Sequence, residues 1–495
     1  MIRDIYQNIV KEQDVRKNLI ELRRELKEEN NKTAFLYYLA GDYSVLYALL
    51  EAEDAKVRKN VALIMGELAI PEFMSKLYEA YQKEDKLFIK SDYLTAIRHF
   101  DYHSLLETFK QRLDFLTSNT FEETNIKHIN EEIRILTDML IVMDTPSMHQ
   151  FTGYAEMSEV LLLTNREHKK VTLGQINIGL AKEFDAGVAV RTRDLNEILN
   201  IRTYTDLLFR LNNVGKVENT PKASANAIYE GGLLDFLNVR HKGSAPYYFR
   251  IEIKSKMPLD KKSIFVKKMA SELEHLSERQ LINSTSNYEF EIRLVESTEG
   301  LFNVLIKLYT IKDQRFSYRK NAVAASINPV NAALIAALSK DYLKEGAQVL
   351  DPFCGVGTML IERNKLISAS PMYGIDIFGP AIDKAIENAK IDHTVINFIN
   401  RDFFDFKHDY LFDEIFTNMP ARGGRKTEEE AELLYDRFFE KALEVLKDEA
   451  IIVMYTRDKF LLQKSIENRE QYTVMEQYEI SKKEDAHVYI LKVKK

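Results

Sequence analysis

A single cysteine among 495 residues leaves no intramolecular disulfide to stabilise the chain and suits a reducing compartment. The ten histidines form no Cys/His cluster at zinc spacing, so no metal site is expected. No stretch approaches the roughly 20 consecutive apolar residues of a membrane helix. Met1-Ile2-Arg3-Asp4 opens charged and polar, without the core of a signal peptide, and a cytoplasmic protein is expected. Net positive charge is also missing: the balance is −7, which does not advertise a nucleic-acid binder. What remains is ordinary for a globular protein, with 45% apolar and 29% charged residues. The length allows about three domains.

The densest local signal is Val349-Leu350-Asp351-Pro352-Phe353-Cys354-Gly355-Val356-Gly357-Thr358. It reads as a buried strand ending in an acid, a glycine turn, and a helix starting near Thr358. Glycines at such a turn let backbone approach a ligand and take positive φ, and the helix start offers free N–H groups. Cys354 reads as a small residue filling tight space rather than a nucleophile. A second strand, Met372–Ile375, ends in Asp376, and helix Pro380–Ile391 follows with Ile382, Ala385, Ile386 and Ala389 on one face. A third strand, Val395–Ile399, leads to Asp402. A fourth, Glu414–Thr417, ends in Asn418-Met419-Pro420-Ala421. Helix Glu428–Leu446 and strand Ala450–Tyr455 come next, then two β-rich runs with no convincing helix between them. The alternation argues a doubly wound parallel sheet, with an antiparallel hairpin at its end.

This order of motifs, over about Arg319–Lys495, resembles the class I S-adenosylmethionine-dependent methyltransferases. A nicotinamide-type dinucleotide fold fits less well, because Leu360 stands where the third glycine of its fingerprint belongs. The resemblance implies that Asp351, Gly355 and Gly357 hold the methionine part of the cofactor, Asp376 the ribose and Asp402 the adenine amine. Phe403 and Ile377 are both candidates for packing on the adenine. Asn418 and Pro420 match the tetrad with which amino-directed methyltransferases grip a target –NH2, a catalysis made mostly of positioning. The tetrad's usual aromatic is replaced by Ala421; a base stacked there contributes about 1–3 kcal/mol. A residue of the Arg422–Lys426 loop is a candidate substitute.

The middle of the chain carries a local basic excess. Arg240–Lys268 holds nine Lys or Arg against two acids, and Lys307–Lys320 holds five against one. Val160–Thr164 and Gly187–Arg191 read as strands, and Asn212–Lys222, with Gly215 and Pro221, as a polar connection. Tyr248–Lys254 alternates as a strand. Ser263–Leu276 is amphipathic, with Phe265, Val266, Met269, Leu273 and Leu276 marking its buried side. Tyr288–Val295 and Leu301–Tyr309 read as further strands. The run Tyr248–Ser255, helix Lys262–Leu276 and Tyr288–Arg293 resemble a THUMP domain. Val160–Leu211 is similar to the ferredoxin-like domain that precedes THUMP in RNA-modifying enzymes. Arg315–Lys320 leading to Ser326–Asn331 is similar to the junction before the catalytic domain of guanine-N2 RNA methyltransferases. Asn328 as cap and Pro329 at the first helical position suit a helix start there. The resemblance implies docking of structured RNA. Arg250, Lys254, Lys256, Lys261, Lys262, Lys267 and Lys268 are the candidate phosphate contacts.

Residues 1–150 read as all-helical. Two segments repeat at an offset of 31: Leu46-Tyr47 recurs as Leu77-Tyr78, and Glu53-Asp54 as Glu84-Asp85. Glu53–Ala62 resembles a HEAT repeat, whose helix pairs stack because no pair buries its apolar face alone. Tyr37, Tyr38, Tyr43, Tyr47, Tyr78 and Tyr81 form either a packing seam or a binding stripe. A protein partner is one use for this region.

The expected architecture is therefore multidomain. An all-α helical repeat (1–150) precedes an α+β part made of a ferredoxin-like domain (151–222) and a THUMP-like domain (223–318). A doubly wound α/β Rossmann-like methyltransferase domain with a mixed seven-stranded sheet follows (319–495). The expected function is S-adenosylmethionine-dependent methylation of an exocyclic base amine, guanine N2 of tRNA or rRNA by resemblance. The alternatives are a noncatalytic RNA-binding or assembly protein, a DNA adenine-N6 methyltransferase and a protein glutamine methyltransferase.

Overall fold

The computed structural model describes residues 2–119, 121–143, 147–421 and 428–495. The Arg422–Lys426 loop considered above lies outside the described residues. The chain divides into two compact units, Met1–Met148 with Asn283–Tyr288, and His149–Ile282 with Glu289–Lys495.

Residues 2–143 of the first unit are helical, from Ile2–Val10 to Glu123–Met143, with no strand among the described residues. The offset-31 repeat falls on two helix pairs, Ser44–Leu50 with Ala55–Leu68 and Phe73–Lys83 with Leu87–Ile97. Asp54 caps the second of these helices, its carboxylate accepting from the Lys56 N–H at 2.8 Å. Ala55–Leu68 and Leu87–Ile97 approach so closely that a Cβ on Gly66 would lie 2.6 Å from Ala96 Cα. Of the tyrosine stripe, Tyr81 is buried and Tyr43, Tyr47 and Tyr78 pack against the core, whereas Tyr37 is 89% exposed. Most of the stripe is packing seam, and its first two members, Tyr37 and Tyr38, are exposed.

In the second unit, residues 158–308 build one nine-stranded sheet rather than two separate ones. Tyr204–Arg210 and Phe302–Leu308 are neighbours, with Phe209 opposite Ile306. One hydrophobic core runs from Val160 and Leu162 to Val304 and Ile306. The stretch read as a polar connection is structured: Lys216–Val217 pairs with Asn303 and Phe302, and Pro221 opens helix Pro221–Glu230. Helix Leu259–Leu276 buries Phe265, Met269, Ala270 and Leu273, with Val266 and Leu276 half-buried beside them.

Among the described residues the carboxyl-terminal domain holds seven strands: β1 (Ala347–Asp351), β2 (Ala369–Asp376), β3 (Asn397–Asn400), β4 (Phe412–Asn418), β5 (Leu446–Thr456), β6 (Tyr472–Ser481) and β7 (Ala486–Val493). Their order is β3-β2-β1-β4-β5-β7-β6, parallel as far as β5, with β7 antiparallel to β5 and β6 antiparallel to β7. Among its described residues the α-helices are α1 (Pro329–Leu338), α2 (Thr358–Leu366), α3 (Gly379–Asp392), α4 (Glu428–Val445) and α5 (Lys459–Ile466). The expected mixed, doubly wound sheet is present. Asn328 caps α1, accepting from the Val330 N–H at 2.9 Å, with Pro329 in the first turn.

Two local expectations need correcting. Val395 is 84% exposed and lies before β3, which starts at Asn397. Ile386 is 50% exposed; the buried stripe of α3 is Ala381, Ile382, Ala385, Asn388 and Ala389. At 3.6 residues per turn, position 386 lies about 100° beyond 385, and the polar Asn388 falls in the stripe instead.

Helix α2 is fixed to the sheet by a buried ion pair. Arg363 Nε and Nη2 donate to the Glu414 carboxylate on β4 at 2.9 and 2.7 Å. Its remaining donors reach the carbonyls of Ile367 and Lys344 at 2.5 and 2.9 Å. Both side chains are almost completely buried, and burial raises the Glu414 carboxyl pKa despite the guanidinium beside it. Arg363→Met leaves that carboxylate buried and unpaired. The expected cost is about 3–5 kcal/mol, measured as lost unfolding free energy in urea.

Candidate active site at the strand carboxyl ends

The strand order reverses between β1 and β4, and a doubly wound sheet binds ligands in the crevice at such a point. Asp351 ends β1 and is 0% exposed. Its Oδ1 accepts from Thr417 Oγ1 of β4 at 2.6 Å and from the Phe353 N–H at 3.1 Å. Its Oδ2 is buried with no hydrogen-bond partner among the described residues. Burial pushes the carboxyl up to about 7; the bonds from Thr417 and the Phe353 amide act the other way, and the Asp376 charge adds to the rise.

The glycine turn folds over this carboxylate. The Cys354 N–H donates to the Ile375 carbonyl of β2 at 2.9 Å, and the Gly357 N–H to the Cys354 carbonyl at 2.8 Å. Gly355 has φ +53°, and a Cβ there would meet nothing within 4 Å. Gly357, at φ +81°, precedes α2, and a Cβ on it would lie 3.0 Å from the Phe398 ring. Thr358 Oγ1, at the first turn of α2, is another buried polar atom without a partner among the described residues. The Cys354 thiol is buried, and burial with the Asp351 and Asp376 charges holds its pKa well above the usual thiol value, which makes it a poor nucleophile.

Asp376, at the end of β2, accepts from the Gly355 N–H at 2.9 Å and from the Phe378 N–H at 2.8 Å. Its Oδ2 thus buttresses the glycine turn, while Oδ1 holds the backbone that leads into α3. Asp402 caps a short 3-10 turn, accepting from the Phe404 N–H at 3.0 Å. Phe403 does not face the crevice openly. It is 2% exposed and packs among Phe353, Phe404 and Phe438, with ring centroids 5.6 to 6.0 Å away. Ile377, the other adenine candidate, is 73% exposed.

Asn418 ends β4 opposite Tyr455 of β5, and the Met419 N–H donates to the Tyr455 carbonyl at 2.9 Å. Asn418 and Pro420 are half-buried and Ala421 is exposed. Thr417 and Asn418 therefore point consecutive side chains to opposite faces of the strand end. Asn388 was missed by sequence reasoning: fully buried, it donates to the Val356 and Asn321 carbonyls at 3.2 and 3.1 Å and accepts from the Asn321 N–H. An amide in an otherwise apolar stripe was its only signal.

The basic candidates lie apart from this crevice on the nine-stranded sheet and its helix. Arg250 is committed elsewhere, to Glu291 at 2.6 Å and the Tyr309 hydroxyl at 2.8 Å. Lys254 pairs with Glu252 at 2.5 Å. Lys256, Lys261, Lys267 and Lys268 are exposed and Lys262 is half-buried. Lys267 and Lys268 line a shallow depression of about 460 Å³ with Lys222, Thr220 and Ser271.

Comparison with known proteins matches residues 317–485, about a third of the chain, to a family described as RMKL-like, methyltransferase domain. The tRNA (guanine(10)-N2)-dimethyltransferase of Methanothermobacter thermautotrophicus is 29% identical over 160 residues, 31% of this chain and 44% of that protein. TrmN from Thermus thermophilus has a similar structure, with TM-score 0.52 and 18% identity over 68% of this chain and 99% of that one. SMU.472, complexed with SAH, gives TM-score 0.51 and 15% identity over 68% of this chain and 98% of its own. At such identities the two structures are likenesses of fold. The chain spans less than half the length of the curated relatives it matches.

Because Asp351 binds its proton more tightly in the folded state, that contribution to stability is full below the unfolded value near 3.8 and is lost as pH rises through about 7. Asp351→Asn keeps the shape and removes the charge. The variant is expected to gain stability relative to the natural protein as pH rises from about 5.5 to 8.5, measured as the difference in unfolding midpoint at each pH.

Proposed function

We propose that the protein is an S-adenosylmethionine-dependent RNA methyltransferase acting on an exocyclic base amine, with guanine N2 of tRNA or rRNA as the favoured acceptor. The observation that carries this reading is the crevice itself: a buried Asp351 oxygen with no partner among the described residues and an open, positive-φ glycine turn, beside an Asn-x-Pro segment whose Asn418 directly follows Thr417, the partner of Asp351. The methyltransferase-domain match over 317–485 supports the chemistry, and the tRNA guanine-N2 relative supports the acceptor.

The donor set fits the cofactor. Asp351 Oδ2 and Thr358 Oγ1 are polar groups free to meet the ammonium and carboxylate of its methionine part, and the turn has space at Gly355. Asp376 is the ribose residue and Asp402 the adenine residue. Ile377, rather than the buried Phe403, supplies the apolar wall. The bound cofactor supplies an electrophilic methyl group. The chain's own part is positioning: the Asn418 side-chain oxygen and a neighbouring backbone carbonyl accept from the amine, which aims the nitrogen lone pair. No side-chain nucleophile is needed, consistent with the inert Cys354. A base drawn out of its stack costs a few kcal/mol, and the middle region holds the rest of the RNA through Lys256, Lys261, Lys262, Lys267 and Lys268.

The test is transfer of labelled methyl into small and ribosomal RNA from cells lacking the protein, resolved to nucleosides. Labelled N2-methylguanosine is expected. Label in another base keeps the reaction and replaces the acceptor. No label despite cofactor binding favours the noncatalytic reading that Ala421 invites. Asn418→Ala is expected to lower kcat by about 100-fold while the affinity for S-adenosylhomocysteine changes little. Replacing Lys267 and Lys268 with Gln is expected to lower the slope of log K against log salt by about one unit per true phosphate contact.

A further inference from the structure

Helix α2 begins at the glycine turn, and two adjacent residues on it face two different partners. Arg363 grips Glu414 on β4, four residues before Asn418. Glu362 pairs instead with a residue distant in the chain: Arg202 Nε and Nη2 donate to its two oxygens at 2.7 and 2.6 Å. The Tyr318 hydroxyl donates to the same carboxylate at 2.7 Å. The Glu362 side chain is 0% exposed and that of Arg202 23%, and Tyr318 is 1% exposed. Arg202 sits between helix Leu195–Leu199 and strand Tyr204–Arg210, in the nine-stranded layer. Its guanidinium lies 4.6 Å from the centre of the Phe316 ring. The same segment is gripped by Arg315, which donates to the Ile201 and Tyr204 carbonyls at 3.1 and 2.8 Å and lies over the Tyr204 ring. Farther along α2, Lys365 pairs with Asp392 of α3 at 2.7 Å.

We infer that Arg202 is a positioning residue through which the nine-stranded layer sets the glycine turn: by holding Glu362 it couples ordering of the turn to ordering of residues 198–204. The inference rests on the methyltransferase reading above. Glu362 lies four residues into α2, about 6 Å along the helix axis from Thr358. A displacement of the helix start is therefore felt within one turn. A buried carboxylate with three charge-assisted or phenolic donors does not give way by partial solvation. Losing the bidentate guanidinium leaves it unpaired, and either the helix or the segment must shift. Because Arg363 fixes the neighbouring face of α2 to the acceptor strand, the helix links three places: the turn, the end of β4 and the layer proposed to carry RNA. Coupling of this kind is reciprocal.

The test is amide hydrogen exchange on the full chain with and without S-adenosylhomocysteine, which needs no RNA and no turnover. In the natural protein the ligand is expected to slow exchange in the turn, residues 354–358, and also at 198–204. In Arg202→Met the turn is still protected, residues 198–204 are not, and ligand affinity falls by about fivefold or more. Tyr318→Phe keeps the ion pair and removes one donor. It is expected to reduce the remote protection without abolishing it, and it serves if Arg202→Met does not fold. Remote protection that is absent in the natural protein, or unchanged in both variants, overturns the inference while leaving the enzyme reading intact. Failure of the ligand to protect the turn itself in the natural protein sinks both.

Discussion

A carboxylate buried between two strands, with one oxygen answered and the other not, is the constraint around which the carboxyl-terminal domain is arranged. Asp351 Oδ1 is held by Thr417 and by the backbone of the turn, while Oδ2 has no partner among the described residues. An unanswered charge in that position is expensive, and burial pushes its proton affinity up into the neutral range. Asp376 meanwhile uses both oxygens on backbone N–H groups, one of them inside the glycine turn. The two acids divide the work. Asp376 braces the turn through Gly355, and Asp351 keeps an oxygen with no partner among the described residues, which the proposed reading assigns to a cationic ligand group. Thr417 ties Asp351 to the strand whose next residue is Asn418, so in the proposed reading one strand end sets both the cofactor side and the acceptor side.

The same economy of parts recurs in α2. Consecutive residues Glu362 and Arg363 are both almost fully buried and bear opposite charge, yet each pairs with a different element. One partner is the neighbouring strand and the other is a segment 160 residues away in the chain. A helix fixed on two faces by bidentate contacts is a rigid mount for the turn at its start. In the N-terminal unit, the close approach at Gly66 and Ala96 fixes the packing of Ala55–Leu68 on Leu87–Ile97.

What was legible in the sequence was whatever is local. Strand, acid, glycine turn and helix start follow one another within ten residues, and β1, α2 and the acids that end β1 and β2 stand where the pattern put them. The apolar stripe of Leu259–Leu276 was legible for the same reason, since one face repeats every turn. Ile386 was misplaced because an apolar residue at a stripe's margin resembles one inside it, and Asn388 hid because its amide serves backbone carbonyls far away. The connection read over Asn212–Lys222 overlaps the start of helix Pro221–Glu230, because proline opens a helix as readily as it breaks one and stands at its first position. Arg250 looked free by composition and is paired across the sheet. Arg202 and Glu362 carry no local signature at all; an ion pair between such distant residues exists only once the fold is formed.

The measurement that most directly tests the central claim is a calorimetric titration of S-adenosylhomocysteine into the full chain and into Asp351→Asn, at about pH 6 and about pH 8.5, on either side of the Asp351 titration. One ligand per chain is expected, bound more tightly at the higher pH, with both the affinity and its pH dependence reduced in Asp351→Asn. No binding at either pH, or binding that the substitution leaves untouched, would contradict the assignment of the glycine turn and its buried acid as a methyl-donor site.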